Sequence, residues 1–468
     1  MDESQRWGQV RSIVHAEASQ EAWRELLKVL RRWPQEQVEP VLSYVEDHVQ
    51  GWPSSLRKPP KKMHATDPIW RLIRVIEGTG NLRRALASPY APPIEHYVFD
   101  GVDVRSQSWS ALWSQSPVFA HAKSIRLGVV SASDVALVLL ALEEAAHPPS
   151  LEALCVDAYI SKREKMLLDR VLRGDTTRGL KTLELSNLAT GVGEINWAWL
   201  PALERVVLGG PAPEALTPSL LGLAQHARPD VAKIDGHLDG PTAQQMLARG
   251  WAPTELQLRY MSLKALEALV TKGGLRRMQA LSFRGHVPQR RGGLRGLFRP
   301  SSAHALDLLI GEGDHQGLRV LDLARVSSSK RLDGRGWIRG LEVLNLSGPV
   351  LHDGFWAKAL EQGWGARLRE LRLREALTSC DDLMRFLEGA SALKVLSLGF
   401  AAQVSVEAYR ALLRTPGVQG LRRLHLQDQN LELQTWREIV RTSGLNPACE
   451  VEVAYRYGSK RLNLKERV

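Results

Sequence analysis

The sequence predicts an α/β solenoid, in which short strands form one curved parallel sheet, helices return along its outer side, and a small helical unit stands in front. Two observations carry that expectation. One apolar pattern recurs along about four fifths of the chain, with copies 22 to 29 residues apart except for one interval of 40. Each copy also reads as a strand followed by apolar residues at helical spacing, and a unit of that size cannot bury both faces unless its neighbours stack on it.

Composition sets the limits. Of the 468 residues, 44% are apolar and 24% charged, which supplies a core and excludes disorder of the whole chain. Length alone allows either several domains or one array. Met1–Gln9 opens with acids and lacks the basic and apolar run of a secretory signal. The most apolar helical stretch, Val135–Leu142, falls far short of the roughly 20 residues that span a bilayer, so no membrane anchor is expected. Cys155, Cys380 and Cys449 are odd in number and far apart, which suits a reducing cytoplasm better than a disulfide framework. The net charge of +11 is local, since Arg57, Lys58, Lys61 and Lys62 in a Pro-rich stretch and Arg284, Arg290, Arg291, Arg295 and Arg299 in a Gly-rich one account for nine of it.

Residues 1–52 read as a helical unit. Trp23, Leu26, Leu27, Leu30 and Trp33 share one helix face, and Val41, Leu42, Val45 and Val49 share another after Pro40. Residues 53–90 read as a Pro/Lys-rich linker and lead-in, because 53–62 contain breakers and no periodicity. The helical unit has two readings, a cap that shields the first repeat or a separate docking module.

Residues 91–468 carry the repeat. The motif L-x-x-L-x-L begins at Leu180, Leu318, Leu341, Leu368, Leu393 and Leu421. Weaker copies begin at Ile94, Ala122, Leu151, Leu203, Val231, Pro253, Met278 and Ala448, making fourteen. The fourth and sixth positions point inward because strand side chains alternate faces. Val135, Leu139, Leu140 and Leu142, or Met384, Phe386 and Leu387, begin the helical return. This pattern resembles the leucine-rich-repeat superfamily, and its period is similar to that of the ribonuclease-inhibitor-like class with degenerate repeats. The resemblance implies a concave strand face that binds a partner. The turn position where that class places Asn or Cys holds Leu188, Val326, Pro349, Ala376, Ala401 and Gln429, so irregular turns are expected.

Catalysis finds no foothold. The histidines are scattered without ligand spacing, Gly311–Gly317 lacks the Lys-Ser/Thr ending of a phosphate loop, and no catalytic, metal or cofactor residues are assigned. Cys380-Asp381-Asp382 matches the Cys-x-Asp string of repeat-bearing ubiquitin ligases. It lies between repeats, however, and its acids suit the start of a helix.

The third, fifth and seventh positions of each strand are expected to face out of the concave surface, flanked by the second and eighth, and this is the expected binding face. Asp100, Arg126, Asp157, Glu184 and Arg205 give the early copies mixed charge. Late copies gather Arg369, Arg372, Arg374, Lys394, Arg422, Arg423 and His425, partly offset by Glu370, Glu375 and Asp428. Val320, Val343 and Val395 with Phe400 add an apolar column. These residues are the candidate site for a protein partner, with an acidic surface as its expected chemistry. The alternative is a nucleic-acid partner held by the basic insertion 286–302, which has Arg290-Arg291-Gly292-Gly293 and Phe298 but no repeated Arg-Gly-Gly units.

Overall fold

A computed structural model describes residues 3–60, 63–90, 93–100, 120–128, 131–145, 149–188, 195–209, 217–284, 309, 317–324, 340–348, 351–376, 378–400, 404–428, 430–455 and 458–462. The chain forms two compact units, Met1–Ala215 and Leu216–Val468. Each is an α/β unit built on parallel strands that alternate with helices. The insertion 286–302 lies outside the described residues.

The first unit opens with helices α1 (Glu3–Val14), α2 (Gln20–Leu30) and α3 (Val38–Val49). On α2 the expected stripe of Trp23, Leu26, Leu27 and Leu30 is buried, and the Ser19 side chain caps the helix by accepting from the Ala22 N–H. Val41, Leu42, Val45 and Val49 are buried on α3. The sequence reading missed α1, which buries only Val10 and Val14 and so shows no stripe.

Residues 54–60 correct the expectation of an exposed linker. Lys58 O accepts a 2.8 Å hydrogen bond from Trp23 Nε1. Arg57 is 4% exposed, and its Nε donates to Leu72 O at 2.8 Å. Burial, with repulsion from Arg74, lowers its guanidinium to about 10. Its carbonyl accepts from the N–H groups of Arg74 and Val75, at 2.9 and 3.2 Å. An edge strand needs acceptors for its open N–H groups, and this segment supplies them, so it closes the sheet's first edge.

Six strands follow, β1 (Val75–Glu77), β2 (His96–Asp100), β3 (Ser124–Gly128), β4 (Ala153–Ile160), β5 (Thr182–Leu188) and β6 (Arg205–Leu208). They pair in parallel, each with the next. β1 was not expected. Its Ile76 stands opposite Tyr97, so a further copy begins at Ile73, where Gly78 takes the sixth position and hides the motif. Helices α4 (Thr79–Leu86), α5 (Ala132–Glu143) and α6 (Lys162–Arg173) alternate with these strands. Capping boxes of Ser131 with Asp134 and Ser161 with Glu164 start α5 and α6.

In the second unit nine strands run parallel: β7 (Val231–Leu238), β8 (Glu255–Met261), β9 (Ala280–Arg284), β10 (Val320–Ala324), β11 (Val343–Ser347), β12 (Glu370–Ala376), β13 (Val395–Phe400), β14 (Arg423–Gln427) and β15 (Glu450–Tyr455). β16 (Gly458–Leu462) returns antiparallel to β15, which the parallel expectation had not foreseen. Helices α7 (Thr217–Gly222), α8 (Gly240–Ala248), α9 (Leu263–Thr271), α10 (Phe355–Glu361), α11 (Cys380–Gly389), α12 (Val406–Leu413), α13 (Pro416–Gln419) and α14 (Leu433–Arg441) accompany these strands. The copy placed at Val231 is corrected to Pro229, because Ala232 stands opposite Leu256 and Val231 opposite Glu255. A two-residue slip keeps every side chain on its face, so alternation alone could not detect it.

The inward leucines form two buried rows. Leu321, Leu344, Leu371, Leu396 and Leu424 make one, and Leu323, Leu346, Leu373, Leu398 and Leu426 the other. Each such side chain contributes up to about 1.5–3 kcal/mol by leaving water. The alternate residues stay half open, as the burial pattern of β7, β10, β11 and β14 shows. Most all-parallel sheets have both faces covered. Among the described residues no helix is long and apolar enough to cross a membrane.

Candidate partner-binding face

Strand register in the second unit assembles the open face into rows. The third positions give Val320, Val343, Glu370, Val395, Arg423 and Glu450, and the fifth give Asp322, Asn345, Arg372, Ser397, His425 and Glu452. Arg374 follows Arg372 on β12. Arg372 and Arg374 on β12 and Arg423 and His425 on β14 thus share one face, two rungs apart. Val320, Val343 and Val395 are half-buried there, with Glu370 interrupting the column.

Two arginines are neutralised within the sheet. Arg372 Nε lies 2.6 Å from Glu370 Oε1 on its own strand, and Arg423 Nε lies 3.3 Å from Glu450 Oε2 on the next. Arg374 stays exposed, with no ion pair among the described residues. His425 Nδ1 is 3.1 Å from Ser397 Oγ. Burial lowers the His425 pKa, opposed by Glu452 and reinforced by Arg374 and Arg372, so the ring is neutral near pH 7.

Two residues leave the patch. Phe400, at the end of β13, packs edge-on against Tyr409 of α12, with ring centroids 6.0 Å apart. Asp428 is buried, accepting from the Tyr409 hydroxyl at 3.1 Å and the Asn430 N–H at 2.8 Å. Phe400 is therefore no open anchor, and Asp428 does not offset the basic residues.

The second positions, which the sequence reading placed beside the face, form a row whose order of charges it did not compare. From Glu95 to Glu204 and from Arg319 to Arg422, each donates its N–H to the carbonyl of its counterpart one strand earlier, which sets these residues side by side at the strand starts. In the first unit the row reads Arg74, Glu95, Lys123, Glu152, Lys181, Glu204, a strict alternation of sign. Arg74–Glu95 closes at 3.9 Å, Lys123–Glu95 at 2.9 Å and Lys181–Glu152 at 3.5 Å. Burial raises the Glu95 pKa, but the hydrogen bond and charge of Lys123 outweigh it and leave the carboxyl below its ordinary value. In the second unit Arg319 pairs with Glu342, and then Arg369, Lys394 and Arg422 follow on consecutive rungs with no acid between them. All three are exposed, and none has an ion pair among the described residues. Aligning the second residue of every copy would have revealed the break.

A polar hollow of about 350 Å³ opens over β8 to β12, lined in part by Gln257, Ser282, Asp322, Asn345, Ser347 and Arg374. Asn345 Oδ1 is buried there with no hydrogen-bond partner among the described residues. In the first unit, Arg126 and Arg205 both reach Glu184, at 3.6 and 3.1 Å, so these early cations are held by an acid of the face.

The residues that suggested chemistry have structural contacts. Ser379 caps α11, and Asp382 accepts from the N–H groups of Trp356 and Ala357 at 3.0 and 3.3 Å, capping the preceding helix α10 as well. Burial, with Asp381, pushes the Cys380 thiol up, away from the thiolate a nucleophile needs. His96 bonds Ser54 Oγ at 2.6 Å and Ser124 Oγ at 2.7 Å, tying the edge-closing turn to β2. Among the described residues no cluster of His, Cys, Asp or Glu could hold a metal ion.

The fold and this face define an α/β repeat protein with one open strand face. No protein family and no curated protein matches the sequence.

Proposed function

We propose that the chain is a leucine-rich-repeat protein whose role is to bind another protein, as an adaptor, inhibitor or sensor, through the open face of its second unit. The observation that carries this reading is the run Arg369, Lys394, Arg422. Like charges on adjacent strands destabilise a sheet, and the row from Arg74 to Glu204 in the first unit avoids them. An acidic partner surface would relieve that repulsion, with Arg374 adding a fourth cation and the half-buried valines an apolar floor. Arg372, Arg423 and His425 flank it in a supporting part, since the two arginines already hold acids. The three cysteines are unpaired, which suits a cytoplasmic setting.

Site-specific photocrosslinking tests the reading. A benzophenone side chain at Ser397 on the face should capture one protein from nuclease-treated extract, while the same group at Met166, on an exposed helix surface, should not. Capture should disappear when Arg374→Glu and Lys394→Glu are combined. Equal capture at both positions, or capture that nuclease abolishes, would refute it.

A further inference from the structure

We infer that the N-terminal helical unit carries a second binding site, a groove that takes an acidic helical segment of a protein partner. The groove lies within the first unit, between α2 and the edge-closing segment, and encloses about 710 Å³. Volumes of roughly 300–1,000 Å³ are typical of binding pockets. Arg24, Lys28, Arg31, Arg32 and Lys58 line it, and Glu77 is the one acid facing them. Glu77 is taken by Lys58 at 2.5 Å, and the contacts of Arg24 with Glu21 and of Lys28 with Glu25 are exposed pairs at 3.8 and 3.4 Å. Exposed pairs of this kind contribute little, so an incoming carboxylate can replace them.

Geometry selects the occupant. Arg24 and Lys28 stand at i and i+4 on α2 and Arg31, its C-cap, at i+7 still in helical backbone, so the three form a stripe about 10 Å long at 1.5 Å per residue. Carboxylates at the same intervals on a second helix match that stripe, and leucines on its adjoining face meet Leu27 and the rings of Pro59 and Pro60. The groove is ill suited to single-stranded nucleic acid. Its aromatic residue, Trp23, is fully buried, with its N–H held by Lys58 O, so no ring is open for a base to stack on.

The edge-closing role and the groove share the same residues. Packing Lys58 O on Trp23 seals β1 and also sets Pro59 and Pro60 opposite α2. The unit is therefore both a cap and a docking element, independent of the face proposed on the second unit.

The test uses the full chain and fluorescence anisotropy. The probe is a fluorescein-labelled amphipathic peptide of about 15 residues, long enough to form a helix, with glutamates at i, i+4 and i+7 beside a leucine face. Controls are a scrambled peptide of the same composition and an oligo-dT of matching charge. The helical probe should bind at least about tenfold more tightly than either control. Arg24→Glu with Lys28→Glu should weaken it by about tenfold or more; both side chains are largely exposed, so circular dichroism should be unchanged. Should that pair unfold, Arg32→Glu alone serves, with the same direction expected. Arg374→Glu should leave probe binding intact, which separates this site from the second-unit face. Absence of binding, equal binding of the scrambled peptide or the oligo-dT, or an unchanged affinity in the folded variants would overturn the inference.

Discussion

Lys394→Glu should make the protein more stable while weakening partner binding. Lys394 stands between Arg369 and Arg422, joined to each rung by a 2.8 Å backbone hydrogen bond. Reversing its sign converts two repulsive neighbours into two attractive ones and restores the alternation of the first unit's row. Cross-strand charge pairs are worth roughly 0.2–1 kcal/mol each. Exposure places these at the low end, so the two changes together should add about 1 kcal/mol in low salt. Strand propensity barely differs between Lys and Glu. Urea unfolding followed by tryptophan fluorescence would measure the gain, which should fade in about 1 M salt, where the screening length is only about 3 Å. Crosslinking from Ser397 should weaken in the same variant. A variant that is less stable than the parent, or whose gain resists salt, would show that the three cations do not sense one another. The argument for an acidic partner would then fail.

Other outcomes follow from single contacts. Asp382→Ala strips a charged acceptor from two backbone donors at the start of α10 and should cost about 2–3 kcal/mol, with Cys380→Ser near neutral; comparable unfolding midpoints for the two would contradict this. Leu371→Ala empties a fully buried position flanked by Leu344 and Leu396 and should cost about 2–5 kcal/mol. His96 and His425 both have pKa values lowered by burial, so the unfolded chain takes up protons more readily. Their stability contribution is complete above the unfolded value of about 6.5 and is lost as pH falls through the folded values. Urea midpoints measured from about pH 7.5 to 5 should therefore drop, and His96→Gln with His425→Gln should flatten the slope; an unaltered slope would place the titration elsewhere.

The inward rows were legible in the sequence because strand alternation and repetition reinforce each other. Leu344, Leu371 and Leu396 occupy the same place in successive copies, and only one side of a strand can be buried by its helix. The stripes of α2 and α3 were legible for the same local reason. Register was not, since placing the copy at Val231 or at Pro229 leaves the same faces inward. Only the pairing of Ala232 with Leu256 separates the two.

Which charges remain free was a matter of tertiary structure. Glu450 reaches Arg423 because their strands are adjacent, and Asp428 turns away because the chain has left the strand, where alternation no longer directs a side chain. Arg57 shows the sharpest contrast between the two levels. Its composition reads as a solvated linker, yet the open N–H groups of Arg74 and Val75 draw its backbone onto the sheet edge and its side chain goes with it. The sequence by itself determined which face of each strand is buried, because that depends on period alone. Tertiary structure decided which polar groups find partners, because hydrogen bonds and ion pairs depend on neighbours far away along the chain.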